Sequence, residues 1–174
     1  TRFKCDWSSD VCSSDLLTVD LTSDAAKTYG TNDPSVTLTT PSFTGRVNTS
    51  VTDWNSTVTA INDTTAGAIT LASLTRTAGE TVGSYGITGG AAGGTAIGNY
   101  TTTLNTNAHK LTIGTAALTV DLTSDAAKTY GTNDPSVTLT TPSFTGRVNT
   151  SVTDWNSTVT ALNDTTAGAI TLAS

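Results

Sequence analysis

The chain has 174 residues, with 14 acidic and 8 basic side chains, a formal net charge of −6 and a pI near 4.4. Nothing basic is clustered, which excludes nucleic acid and anionic membrane surfaces as electrostatic partners, and no apolar run approaches the ~18–20 residues of a membrane-spanning helix. Threonine fills 42 positions, Glu80 is the only glutamate and methionine is absent. β-Branched residues favour strands and good helix formers are scarce, so the composition excludes an α-rich fold.

Residues 1–16, TRFKCDWSSDVCSSDL, differ in composition from all that follows. Back-translated, Cys5–Leu16 matches the invariant part of a sequencing-library adapter codon by codon, and Thr1 and Arg2 fit the same oligonucleotide. The segment is therefore expected to be non-native and adapter-derived, and it is set aside from fold reasoning. Cys5 and Cys12 lie inside it, so the rest of the chain needs no disulfide to fold.

Residues 17–73 recur at 118–174 with a single change, Ile61 to Leu162, while Leu74–Ala117 occurs once. The period of 101 residues is that of a domain-sized module in an array. The expected organisation is a complete β repeat at 17–115, followed by a truncated second copy at 116–174. An enzyme gains little from a second copy of half a site, whereas a stalk or multivalent surface gains length and valency.

In chain order, Leu17, Val19 and Leu21 alternate with polar residues and predict a strand. Asp24-Ala25-Ala26-Lys27 predicts one helical turn capped by Asp24. Thr28–Ser35, with Gly30, Asn32, Asp33 and Pro34, predicts a turn. Val36 and Leu38 predict a further strand, Val47, Val51 and Trp54 fit no clean period, and Val58–Ile61 and Ala66–Leu74 predict strands. Asn62–Gly67 predicts a turn between them. The run Gly89–Gly94, GGAAGG, predicts a flexible loop. Strands at Tyr85/Ile87, Tyr100–Leu104 and Leu111/Ile113 complete the repeat. About seven short strands in some hundred residues predict an all-β chain of tandem immunoglobulin-like β-sandwich repeats. The alternative is a β-grasp-like sheet with one short helix, if the Asp24–Lys27 turn is longer.

The succession KTYGTNDPSVTLT, LTRTAGETVGSYGIT, NYTTTL and HKLTIGTAALTV resembles the bacterial MBG domains, mostly-β and glycine-rich, of the type named for its YG dipeptide, here Tyr29–Gly30. The resemblance covers nearly all of 17–117 and resumes at Leu118. The stretch Phe43–Thr65 departs from the pattern by being longer and more polar. The resemblance implies tandem repeats of very large exported surface proteins, such as filamentous-haemagglutinin-like adhesins, secreted or held on the bacterial surface.

Candidate chemistry is sparse. His109 is the only histidine, and transition-metal sites need three or four ligands, so it reads as a surface turn residue. Asp20, Asp24, Asn32, Asp33, Asp53, Asn62 and Asp63 could supply calcium oxygens, but no segment has the alternating loop of such sites, and the same residues serve turns. GGAAGG lacks the Lys-Ser/Thr of a phosphate loop. Trp54 and its copy Trp155 read as core or half-buried, with glycan or partner binding as the alternative. Asn48, Asn55, Asn62 and Asn99, with copies at Asn149, Asn156 and Asn163, satisfy N-x-[ST], which a threonine-rich chain produces by chance. The expectation is therefore no catalytic, cofactor or metal residue. The expected partners are neighbouring repeats of the same chain, and a host glycan or matrix protein if the polar Arg46–Thr65 insertion binds one.

The second copy lacks counterparts of Tyr85, Ile87, Ile97, Tyr100, Leu104, Leu111 and Ile113. At roughly 1.5–3 kcal/mol for each buried apolar side chain, the deficit rivals a whole domain's stability. Residues 118–174 are expected to be poorly packed alone, or to take edges from the first repeat.

Overall fold

In the computed structural model the described residues are 15–136 and 141–172. The expectations for Cys5, Cys12 and most of the adapter-like segment lie outside them. The described chain is all-β and sandwich-like, and its helical content is two short 3₁₀ turns, Val36–Thr39 and Ile97–Asn99.

The strands are β1 Asp15–Asp20, β2 Ala25–Thr28, β3 Ser42–Thr44, β4 Asn48–Thr52, β5 Val58–Asn62, β6 Thr70–Arg76, β7 Gly83–Gly93, β8 Tyr100–Asn105 and β9 Lys110–Gly114, then β10 Thr119–Leu122, β11 Pro142–Thr145, β12 Asn149–Thr153 and β13 Val159–Asn163. One sheet has the order β3-β1-β8, with β1 antiparallel to β3 and parallel to β8. A second has the order β2-β9-β7-β6. The pairs β4–β5, β10–β11 and β12–β13 are separate antiparallel ladders. β1 begins within the adapter-like segment, pairing Asp15 and Leu16 with Tyr100 and Thr101. Ladder hydrogen bonds come from the backbone, so foreign side chains do not prevent them.

The chain divides into two compact units. The first holds the described residues up to 25, with 34–77 and 85–111. Its core is Leu17, Val19 and Leu21 from the first strand and its exit, with Ala25, Ile69, Leu71, Leu74, Ile87 and Leu111. The alternation of apolar side chains on β1 buries one face, as its period of two requires. The second unit holds 26–33, 78–84 and the described residues from 112 onward, with Ile113 and Val152 buried.

Four sequence expectations are corrected. Ala25–Thr28 is a strand and not a helical turn, which also removes the helix of the β-grasp-like alternative. Asp24 is drawn off its capping role: its carboxylate accepts from the Lys110 backbone N–H at 3.1 Å and lies 2.8 Å from His109 Nδ1. Val36–Thr39 is a 3₁₀ turn and not a strand. Ser35 caps it, and Thr40 ends it in the left-handed region at φ 43°. The result inverts the expected burial: Thr39 is fully buried, accepting at its carbonyl from the Thr22 and Ser23 N–H groups, and Leu38 is exposed.

Third, the glycine run is the second half of β7 and not a loop. It pairs with β6 across two register irregularities, and the close approach explains the composition. A Cβ at Gly90 would stand 2.3 Å from the Ser73 carbonyl oxygen, and one at Gly93 2.9 Å from Ala72 Cβ. Glycines here admit a neighbouring backbone. Fourth, Trp54 is fully exposed at the tip of the β4–β5 hairpin and is neither core nor half-buried.

Candidate functional site

The carboxylates and amides singled out in the sequence are occupied with their own backbone or with neighbours. Asp53 Oδ1 accepts from the N–H groups of Asn55 and Thr57, both at 2.8 Å, closing the hairpin turn in which Ser56 has φ 62°. Asn62 Oδ1 accepts from the N–H and hydroxyl of Thr64. Asp20 accepts from Asn105 Nδ2 at 2.7 Å, and Asp63 Oδ2 from the Tyr100 hydroxyl at 2.6 Å. The same Tyr100 oxygen accepts from the Val47 N–H. Among the described residues no group of three or more His, Cys, Asp or Glu side chains converges. His109 is half-buried beside Asp24, whose carboxyl it holds below the ordinary value, chiefly through that hydrogen bond.

Asn32 and Asp33 are different, because they reach a distant segment. The turn Thr28–Pro34 is built by its own residues: the Thr31 N–H and hydroxyl donate to the Thr28 carbonyl at 3.1 and 2.7 Å, and Gly30 sits at φ 87°. Glycine adopts that conformation without steric cost. Lys27 braces the turn, with Nζ 2.8 Å from Asp33 and 2.5 Å from Glu80, the Lys27 and Asp33 side chains each 2% exposed.

Within the second unit this turn meets the β12–β13 hairpin of the second sequence copy. The Asp33 N–H donates to the Thr153 carbonyl at 3.0 Å, and the Thr153 N–H donates to Asn32 Oδ1 at 2.8 Å. The Trp155 N–H donates to Asp33 Oδ2 at 2.9 Å, and the Tyr29 hydroxyl to Asp164 Oδ1 at 3.2 Å. Gly30 lies so close to Val148 that a Cβ would stand 2.8 Å from its Cγ1. Burial first, and then the Asp164 carboxylate, push the Tyr29 hydroxyl above its ordinary pKa. Each net hydrogen bond contributes about 0.5–1.5 kcal/mol. The Thr153 pair uses both backbone groups of one residue on the outer edge of β12, a short version of strand addition.

The duplication supplies an internal comparison. Val152 is 1% exposed, whereas Val51, the same residue of the first copy, is 46% exposed. Trp155 is half-buried, whereas Trp54 is bare. Tyr29 is half-buried against its hairpin, whereas Tyr130 is fully exposed. One turn of the first copy and one hairpin of the second therefore form a joint. Sequence reasoning read Asn32, Asp33 and Pro34 as turn formers and missed what their polar atoms hold; no local signal distinguishes an amide that caps its own turn from one that captures another strand's edge.

The duplicated sequence, the all-β fold and this joint define a repeated β sequence in which the tyrosine–glycine turn of the first copy packs on a hairpin of the second, within the second unit. The chain belongs to the family of the MBG domain (YGX type), whose model matches residues 17–112. Tyr29–Gly30–Thr31 fits that description and lies in the joint. No curated protein and no solved structure matches the chain. No helix among the described residues is long and apolar enough to cross a membrane.

Proposed function

We propose that the chain is a structural stalk or spacer segment of a large exported bacterial surface adhesin, in which successive repeats are locked to one another. The observation that carries this reading is the turn–hairpin joint, where Asn32 and Asp33 of one repeat hold the β12 edge of the next. A stalk transmits position only if its modules do not pivot freely, and a joint held by a backbone–backbone hydrogen bond together with bonds made by the Asn32, Asp33 and Tyr29 side chains restrains that pivot. Family membership supports a surface-protein repeat. No residue is given a catalytic role, and the neighbouring repeats are the principal partners.

The test is backbone relaxation by NMR in the wild type and in Asn32→Ala/Asp33→Ala. Residues 149–163 should tumble with the Thr28–Pro34 turn in the wild type and independently in the variant. Independent tumbling in both would reject the locked-stalk reading.

One observation favours a second reading, a glycan- or host-protein-binding module: a tryptophan, Trp54, stands fully exposed at the tip of the polar insertion. Exposed aromatics are efficient contact residues. Binding on a glycan and matrix-protein array that Trp54→Ala abolishes would carry that reading, and a silent array would reject it.

A further inference from the structure

We propose that Lys27 and Asp33 condense within the folded chain into a side-chain amide, with Glu80 as the proton relay. The bond closes a covalent ring across the turn that holds the β12 edge. Its use as a staple rests on the stalk reading above, whereas its formation does not.

All three groups belong to the second unit: Lys27 on β2, Asp33 in the turn, and Glu80 in the segment 78–84. Lys27 Nζ stands 2.8 Å from Asp33 Oδ1 and 2.5 Å from Glu80 Oε2, and the three side chains are 2%, 2% and 6% exposed. An amine and a carboxyl group held together out of water react as if at an effective concentration of roughly 10⁵–10⁸ M. The carboxyl group is also oriented. Its other oxygen, Oδ2, accepts from the Trp155 N–H at 2.9 Å, and the Asp33 N–H is tied to the Thr153 carbonyl at 3.0 Å. A fixed backbone N–H at the oxygen where charge develops stabilises a tetrahedral intermediate.

The condensation balances without an oxidant or a cofactor. One proton passes from Nζ to Oδ1, which turns the ion pair into an amine and a carboxylic acid. The nitrogen lone pair forms a bond to Asp33 Cγ, and the C=O electron pair moves onto Oδ2, facing the Trp155 N–H. Glu80 takes a proton from the nitrogen and delivers it to Oδ1, which leaves as water while Oδ2 re-forms the carbonyl. Of the three ammonium protons, one stays on the amide and two leave with the water. Glu80 is regenerated and accepts from the new amide N–H.

The second sequence copy separates contact from environment. Lys128 and Asp134, the counterparts of Lys27 and Asp33, also meet at 2.5 Å, but their side chains are 50% and 84% exposed. Glu80 is the only glutamate of the chain, so it serves one pair and not the other. One amide per chain is expected.

The test is the intact mass of the purified full chain, denatured and with its cysteines reduced. It should be lighter than its sequence by one water. Trypsin does not cleave after an acylated lysine, so residues 5–46 should emerge as a single looped peptide, while the second copy yields separate peptides 111–128 and 129–147. The full sequence mass with cleavage after Lys27 would overturn the proposal. So would loss of two waters with Lys128 and Asp134 also joined, or fragmentation that places the link on Glu80. Glu80→Gln should retain the full mass, and a loss of water in that variant would overturn the relay. Asp33→Asn presents the same amine with a carboxamide: it should shed ammonia in place of water and give the same looped peptide, an outcome that a purely structural ion pair does not produce. A cross-linked chain in which residues 149–163 tumble independently would keep the amide and reject the stalk reading, and an unmodified chain with a rigid joint would do the reverse.

Discussion

Replacing the same valine in each copy isolates packing from sequence. Val51 and Val152 sit in identical local sequence on hairpins of identical ladder register, yet one is 46% and the other 1% exposed. Val→Ala removes two carbons, worth about 0.8 kcal/mol each when fully buried. With a term for the cavity left behind, Val152→Ala should cost about 2 kcal/mol. Val51→Ala, with roughly half its side chain in water and no enclosed cavity, should cost about 0.8 kcal/mol. The difference of about 1.2 kcal/mol corresponds to about an eightfold difference in the local opening constant. Native-state hydrogen exchange of the hairpin amides reads that constant. The measurement calls for residue-resolved NMR on dilute protein, because the two hairpins differ only by the isobaric pair Ile61 and Leu162. Equal effects at the two sites would refute the argument that the turn Thr28–Pro34 packs one hairpin and leaves the other open.

Other perturbations separate further parts of the fold. Asp33→Ala removes the acceptor for the Trp155 N–H and one of two partners of Lys27, and should destabilise by about 1–3 kcal/mol with a red shift of Trp155 emission; Asp134→Ala, at a side chain 84% exposed, should change neither. Gly90→Ala forces a Cβ against the Ser73 carbonyl and should cost about 1–3 kcal/mol in denaturant unfolding, while Gly98→Ala, with nothing within 4 Å, should be tolerated. Burial and carboxylate partners raise the pKa of Tyr29 and Tyr100 above the ordinary 10.0, so the stability they contribute is complete below that pH and is lost as pH climbs through their folded values. In an alkaline titration followed by tyrosinate absorbance, the tyrosines of Tyr29→Phe and Tyr100→Phe should each lack one late-ionising group. The Asp24 carboxyl is lowered, first by its hydrogen bond with His109, so its contribution is present above the ordinary 3.8 and lost as pH falls through the folded value; Asp24→Asn should flatten the acid limb of thermal stability.

Strand positions with clean alternation were legible in the sequence. Leu17, Val19 and Leu21, and Leu111 and Ile113, are buried as their period of two predicts. The duplication and the family were legible as well, because both reside in the order of residues. The joint was not. Its polar atoms come from Tyr29–Asp33 and from Thr153–Asp164, more than a hundred residues apart, and each segment alone reads as an ordinary turn or hairpin.

Local geometry followed from sequence alone: the same residues give the same turn at Thr31 and Thr132, and the same tip at Ser56 and Ser157, wherever they fall in the chain. Asp24–Lys27 and GGAAGG marked the limit of that rule, since a neighbouring strand overrode helical capping in one and demanded missing side chains in the other. Burial was decided by tertiary structure. Hydrogen bonds within a turn are short-range and repeat with the sequence, whereas exclusion of water from Val152 and its admission to Val51 depend on what lies alongside, which identical sequence does not encode.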